Sequence, residues 1–170
     1  MLEPINIATV EAETFFGVQS SGRTLSCKMG ALGTDGRQIE LVVKWRQGPE
    51  RKDIGGICEL IGALLARDLG FRTPKTYFLN ISAEFNSVIG HAEARKKAQH
   101  SVGLNFSCVL LQPVHPWPKD RHIPMHHKQM AQEVFAFDAL AENVDRRPEN
   151  PNLLLYQDDI HLIDHDLAFS

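Results

Sequence analysis

The stretch NVDRRPENPNLLL, Asn143 to Leu155, decides how this chain is read. Ahead of it, residues 127–142 carry Met130, Val134, Phe137 and Leu140 at helical spacing, one apolar stripe. The quoted stretch breaks that stripe with Pro148, Pro151 and a run of Asn, Asp and Arg, residues that favour turns over helix. Leu153–Leu155 then open a strand, and IHLIDHD (160–166) returns after Gln-Asp-Asp as the second arm of a β-hairpin. A core helix, an ordered polar loop and a small hairpin are therefore expected over the last third of the chain.

Upstream, residues 24–29 and 38–45 read as two strands joined by the turn residues Thr34, Asp35 and Gly36. In IELVVKW the alternation sends Ile39, Leu41 and Val43 to one face and Glu40, Val42 and Lys44 to the other. DIGGICELIGALLARDLG (53–70) is a helix by the spacing of Ile54, Ile57, Ile61, Leu64 and Leu65, with Asp53 at its start and Gly70 at its stop. Gly55, Gly56 and Gly62 lower its intrinsic propensity, so packing must hold it. FRTPKTYFLNIS and NFSCVLLQP are further strands, and residues 83–103 between them read as a short helix or a loop. Residues 113–126, rich in Pro and His, read as a hinge.

The bulk numbers set limits. One domain of 170 residues is long enough for a sizeable core, and 43% hydrophobic with 23% charged residues is ordinary for a soluble protein. A formal charge of −3 gives no general attraction to nucleic acid, and direct nucleic-acid binding is not expected. Cys27, Cys58 and Cys108 form no CxxC pattern and read as reduced thiols of a cytoplasmic protein. The N-terminus shows no secretory signal, and no apolar run reaches the roughly 18 residues of a membrane span.

Several residues have the chemistry of phosphoryl transfer. Asp145 and Asn150 stand five apart, as do the base and the metal-binding amide of the protein-kinase loop H-R-D-x-x-x-x-N. Asp164 follows the strand HLI, where such enzymes place a metal carboxylate, and Asp166 stands beside it. Lys44 interrupts an apolar strand, and Glu59 lies about a turn into the following helix, as do the phosphate-binding Lys and its orienting Glu. The stretch GVQSSGRT (17–24) offers Ser20, Ser21 and Gly22 as a phosphate loop, although it is not G-x-G-x-x-G. His115, His122, His126 and His127 cluster among prolines and read as surface histidines rather than zinc ligands.

With these residues in place, the chain resembles the HipA-like kinases, a branch of the atypical kinase fold that includes the phosphatidylinositol kinases, over roughly residues 22–169. Asn143, Asp145, Arg146 and Asn150 look like that family's N-x-D-R-x-x-x-N loop, and Ile163-Asp164-His165 like its metal aspartate. Arg147 stands where relatives often have His. The resemblance implies one α+β, two-lobed kinase-like domain over 1–170. Its N-lobe (1–112) would be an antiparallel sheet with one helix, and its C-lobe (127–170) abbreviated and helical with a β-hairpin. It implies an ATP- and Mg²⁺-dependent phosphotransferase acting on Ser or Thr of a protein, with a protein substrate or an antitoxin-like partner. Asp145 would be the base, Asn150 and Asp164 metal ligands, and Lys44, held by Glu59, a phosphate contact. The alternatives are a catalytically inactive binding module of the same fold and a small-molecule phosphotransferase.

Overall fold

The computed structural model describes residues 6–19, 25–33, 35–47, 51–117, 125–157 and 159–169. It divides into two compact units, Met1–Gly56 with Lys75–Leu110, and Ile57–Pro74 with Leu111–Ser170.

The first unit is a closed five-stranded barrel. Its strands are β1 (Thr9–Val18), β2 (Cys27–Leu32), β3 (Gln38–Lys44), β4 (Thr76–Ile81) and β5 (Gly103–Val109), in the order β1-β2-β3-β5-β4. This corrects the expected antiparallel sheet: β1, a strand the sequence pattern does not reveal, closes the ring by pairing parallel to β4, Val10 opposite Leu79. The ladder β2–β3 is antiparallel, with Met29 opposite Leu41 and Cys27 opposite Val43. These four side chains are fully buried, as the alternation in IELVVKW requires, and they share a core with Trp45, Leu79 and Ile81. Trp45 satisfies its indole N–H on the carbonyl of Leu25 at 2.9 Å. Burial of the thiol in this core pushes the Cys27 pKa up to about 11. The polar stretch after β4, read as a short helix or a loop, holds a 3₁₀ turn (Glu84–Val88) and helix α2 (Ala92–Gln99), a helix beyond the single one that the resemblance implies. His91 caps α2, its Nδ1 accepting from the N–H of Ala94 at 3.3 Å.

Helix α1 (Asp53–Asp68) passes from the first unit into the second, the division falling after Gly56. Gly70 takes φ +90° and ends it, and the Phe71 N–H reaches back to the Ala66 carbonyl at 2.9 Å. Ile54, Ile57 and Ile61, expected as its core stripe, are about half exposed. The buried face instead carries Cys58, Glu59, Gly62, Ala63 and Ala66, mostly small residues that permit close approach.

The rest of the second unit is α3 (Lys128–Leu140) and a three-stranded antiparallel sheet, β6 (His115–Pro116), β7 (Leu153–Tyr156) and β8 (Asp159–Leu162). The expected hairpin is β7–β8, with Leu153 opposite Leu162, and β6 extends it from within the stretch read as a hinge. Ala66, Val134, Phe137, Ala141, Leu162 and Ala168 form its core. Leu140 is exposed, and Ala141 takes the buried place one position on.

Candidate functional site

The polar loop after α3 is built from its own side chains. Asn143 donates its amide to Asp138 Oδ1 at 3.4 Å and accepts the N–H of Asp145 at 3.3 Å, an Asx-type turn. Arg147 and Asn150 then close a tight turn with two reciprocal backbone bonds of 3.2 and 2.9 Å, with Pro148 and Glu149 at its tip. This returns Asn150 to Asp145, and its Nδ2 donates to Asp145 Oδ2 at 2.7 Å. Asn152 Nδ2 donates to the same oxygen at 3.2 Å. Asp145 Oδ1 lies 3.8 Å from the half-exposed guanidinium of Arg147.

Arg146 lies under this loop with its side chain 5% exposed. Its Nε stands 2.9 Å from both carboxylate oxygens of Asp138 on α3. Its Nη1 donates to the carbonyls of Pro151 at 3.2 Å, Asn152, and Ile163 at 3.3 Å. One guanidinium thus fastens α3, the loop and the segment after β8 together. Burial pushes the Asp138 carboxyl above its ordinary range, opposed by the Arg146 charge and by hydrogen bonds from Arg146 and Asn143.

The segment after β8 turns sharply. Asp164 takes φ +62°, a left-handed conformation in which Asp is among the better tolerated residues. Carboxylate oxygens of Asp164, Asp166 and Glu59 all lie within 4.8 Å of one another. Glu59 and Asp166 are buried, at 3% and 8% exposure. Glu59 Oε2 also accepts the N–H of His165 at 3.0 Å. Gly62, one turn further along α1, makes room for His165: a Cβ there would fall 2.5 Å from His165 Cβ. Three carboxylates at this spacing are a hard oxygen donor set, which fits a divalent cation such as Mg²⁺.

Of the residues expected at the site, the structure joins Asp145 to Asn150, and Glu59 to Asp164. Lys44 belongs to the first unit, half-buried on the outer face of β3 opposite Phe106. Ser20, Ser21 and Gly22 lie outside the described residues. Asn152 and Asp138 join the network without a signal of their own in the sequence, because a D-x₄-N spacing does not reveal which neighbours the loop folds onto.

A family model described as HipA-like kinase matches residues 32–170. No curated protein matches the chain. Among solved structures it is similar to that of a proinflammatory kinase, CtkA, from Helicobacter pylori, with a TM-score of 0.57 and 12% identity over 96% of this chain. The chain spans 61% of that kinase, less than two thirds of its length, and at this identity the likeness is one of fold. The family match covers most of the chain and takes in both the Asp145 loop and the three carboxylates. The chain therefore belongs to the HipA-like kinase family.

Proposed function

We propose that the chain is an ATP- and Mg²⁺-dependent phosphotransferase whose acceptor is a Ser or Thr hydroxyl of a protein. The observation that carries this reading is the 2.7 Å bond from Asn150 to Asp145, which closes the D-x₄-N loop in the same unit that gathers the acidic residues. Asp145 is the base. As the acceptor oxygen bonds to the γ-phosphorus and the bond from that phosphorus to the bridging β–γ oxygen breaks, the hydroxyl proton passes to the Asp145 carboxylate and ADP leaves. Asp164 and Asp166, with Glu59 and Asn150 as further oxygen donors, would hold Mg²⁺, which when bound neutralises charge on the phosphates. Lys44 would contact the phosphates, and Ser20, Ser21 and Gly22 would supply the phosphate loop.

Transfer from γ-labelled ATP, followed by mapping of the labelled residue, tests the reading. The wild type is expected to label a Ser or Thr, and Asp145→Asn to abolish labelling. Equal labelling by the two proteins would remove Asp145 from the chemistry. One observation favours the binding-module alternative: Phe135, Leu140 and Val144, on and just after α3, are 77%, 66% and 70% exposed. Under that alternative the protein binds Mg-ATP without turnover.

A further inference from the structure

Asn152 stands outside the D-x₄-N pattern, yet its side chain reaches the same oxygen as that of Asn150. Its Nδ2 donates to Asp145 Oδ2 at 3.2 Å. Its carbonyl accepts from Arg146 Nη1 and from the N–H of Ile163 at 3.1 Å, the residue before Asp164. It is 9% exposed and takes φ +47°, a conformation that Asn tolerates better than other residues with a Cβ, Asp excepted. An Asx turn on the surface would account for the φ value. It would not aim a buried amide at a carboxylate seven residues back, nor fix the carbonyl on two donors at once.

A lone carboxylate rotates broadly about its last torsion, and a half turn exchanges its two oxygens. Two amide donors converging on Oδ2 from Asn150 and Asn152 fix that torsion. We infer that Asn152 is a positioning residue for phosphoryl transfer. Together with Asn150 it reserves Oδ2, so that Oδ1 is the oxygen that takes the acceptor proton, and through its carbonyl it ties the base to the strand end bearing Asp164. The inference rests on Asp145 being the base, and it adds a residue that the D-x₄-N pattern does not contain.

The test uses Asn152→Gly, because Gly adopts φ +47° freely and keeps the carbonyl bonds to Arg146 and Ile163. Asn152→Asp, which keeps the shape but turns the donor into a second carboxylate, is the companion variant. ADP release from Mg-ATP is followed in the full chain, with melting curves as the check on folding. Misplacement of a reacting group costs turnover more than ground-state binding, so kcat should fall at least about ten-fold with KM for ATP within about two-fold. The loss should be larger for Asn152→Asp. A kcat for Asn152→Gly within two-fold of wild type, while Asp145→Asn abolishes turnover, would overturn the inference. A wild type that releases no ADP sinks the phosphotransfer reading instead. The hold on Asp145 is then decided by NMR: the Asn152 side-chain amide should be protected from exchange in wild type and lose protection in Asp145→Ala. An amide unprotected in the wild type refutes it.

Discussion

Replacing Gly62 by Ala should destabilise the protein, although helix propensity alone says the reverse. In a helix interior the exchange gains about 1 kcal/mol. At Gly56, on the same helix, the nearest atom to an added Cβ is Phe106 Cβ at 4.0 Å, an ordinary contact, so most of that gain should survive. At Gly62 the Cβ would fall 2.5 Å from His165 Cβ and 2.7 Å from its Cγ, atoms close to the backbone that cannot swing aside. His165 is 1% exposed, sits edge-on to the Phe137 ring at 5.8 Å, and has its N–H held by Glu59. Overpacking of this kind costs about 1–3 kcal/mol, which leaves a net loss of roughly 0–2 after the propensity gain. Loosening the bond from His165 to the Glu59 carboxylate, worth about 1.5 kcal/mol, adds to this and brings the loss to about 1.5–3.5 kcal/mol. For a chain of this size, about 2 kcal/mol lowers the melting temperature by about 4–8 °C. Melting curves of wild type, Gly56→Ala and Gly62→Ala in one buffer should therefore move in opposite directions for the two variants. If Gly62→Ala melts at or above the wild type, α1 does not pack on His165 as described.

Asp138→Ala strands the buried guanidinium of Arg146 and should cost about 3–5 kcal/mol in urea unfolding, with Asp138→Asn milder because its amide oxygen still accepts from Arg146. Burial pushes the His161 pKa below 6.5, helped by the Arg72 charge and opposed by Asp159. The folded state therefore favours the neutral ring: its contribution is present above about pH 6.5 and is lost as pH falls through the lower folded value. Urea midpoints taken from pH 7.5 down to 5 should fall less in His161→Gln than in wild type, and parallel curves would contradict this. Asp166→Asn should weaken Mg²⁺ binding about ten-fold or more by calorimetry, and unchanged affinity would remove Asp166 from the donor set.

Elements with clean periodicity were legible in the sequence. The alternation in IELVVKW names the buried faces of β3 correctly, and Gly70 marks the end of α1 where it occurs. Strand β1 was not legible, because irregularities between Ala12 and Thr14 and between Phe15 and Gly17 break its alternation. Barrel closure was hidden for another reason: the pairing of Val10 with Leu79 joins residues far apart in sequence, and no local pattern records it. On α1 the isoleucines gave the wrong face. Spacing reports amphipathicity, whereas the buried side was chosen by small residues that let His165 approach. At the site, the D-x₄-N spacing reflects a real constraint, since a loop of that length returns Asn150 to Asp145. Glu59 is readable as a helix residue, but the sequence does not show that it joins Asp164 and Asp166.

The strand order of the barrel carries a consequence for synthesis. The fifth strand to leave the ribosome, β5, is inserted between β3 and β4 and pairs with both, Val43 with Ser107 and Tyr77 with the same residue. A nascent chain that has exposed β1 to β4 but not Gly103–Val109 therefore presents two unpaired edges, one on each side of the missing strand. Unpaired edges are the surfaces on which incomplete β-proteins pair with the wrong chain. The interval between the emergence of Ile81 and that of Val109 is thus the vulnerable period of this unit's biogenesis, and it ends in one step when β5 fills the gap and abolishes both edges together.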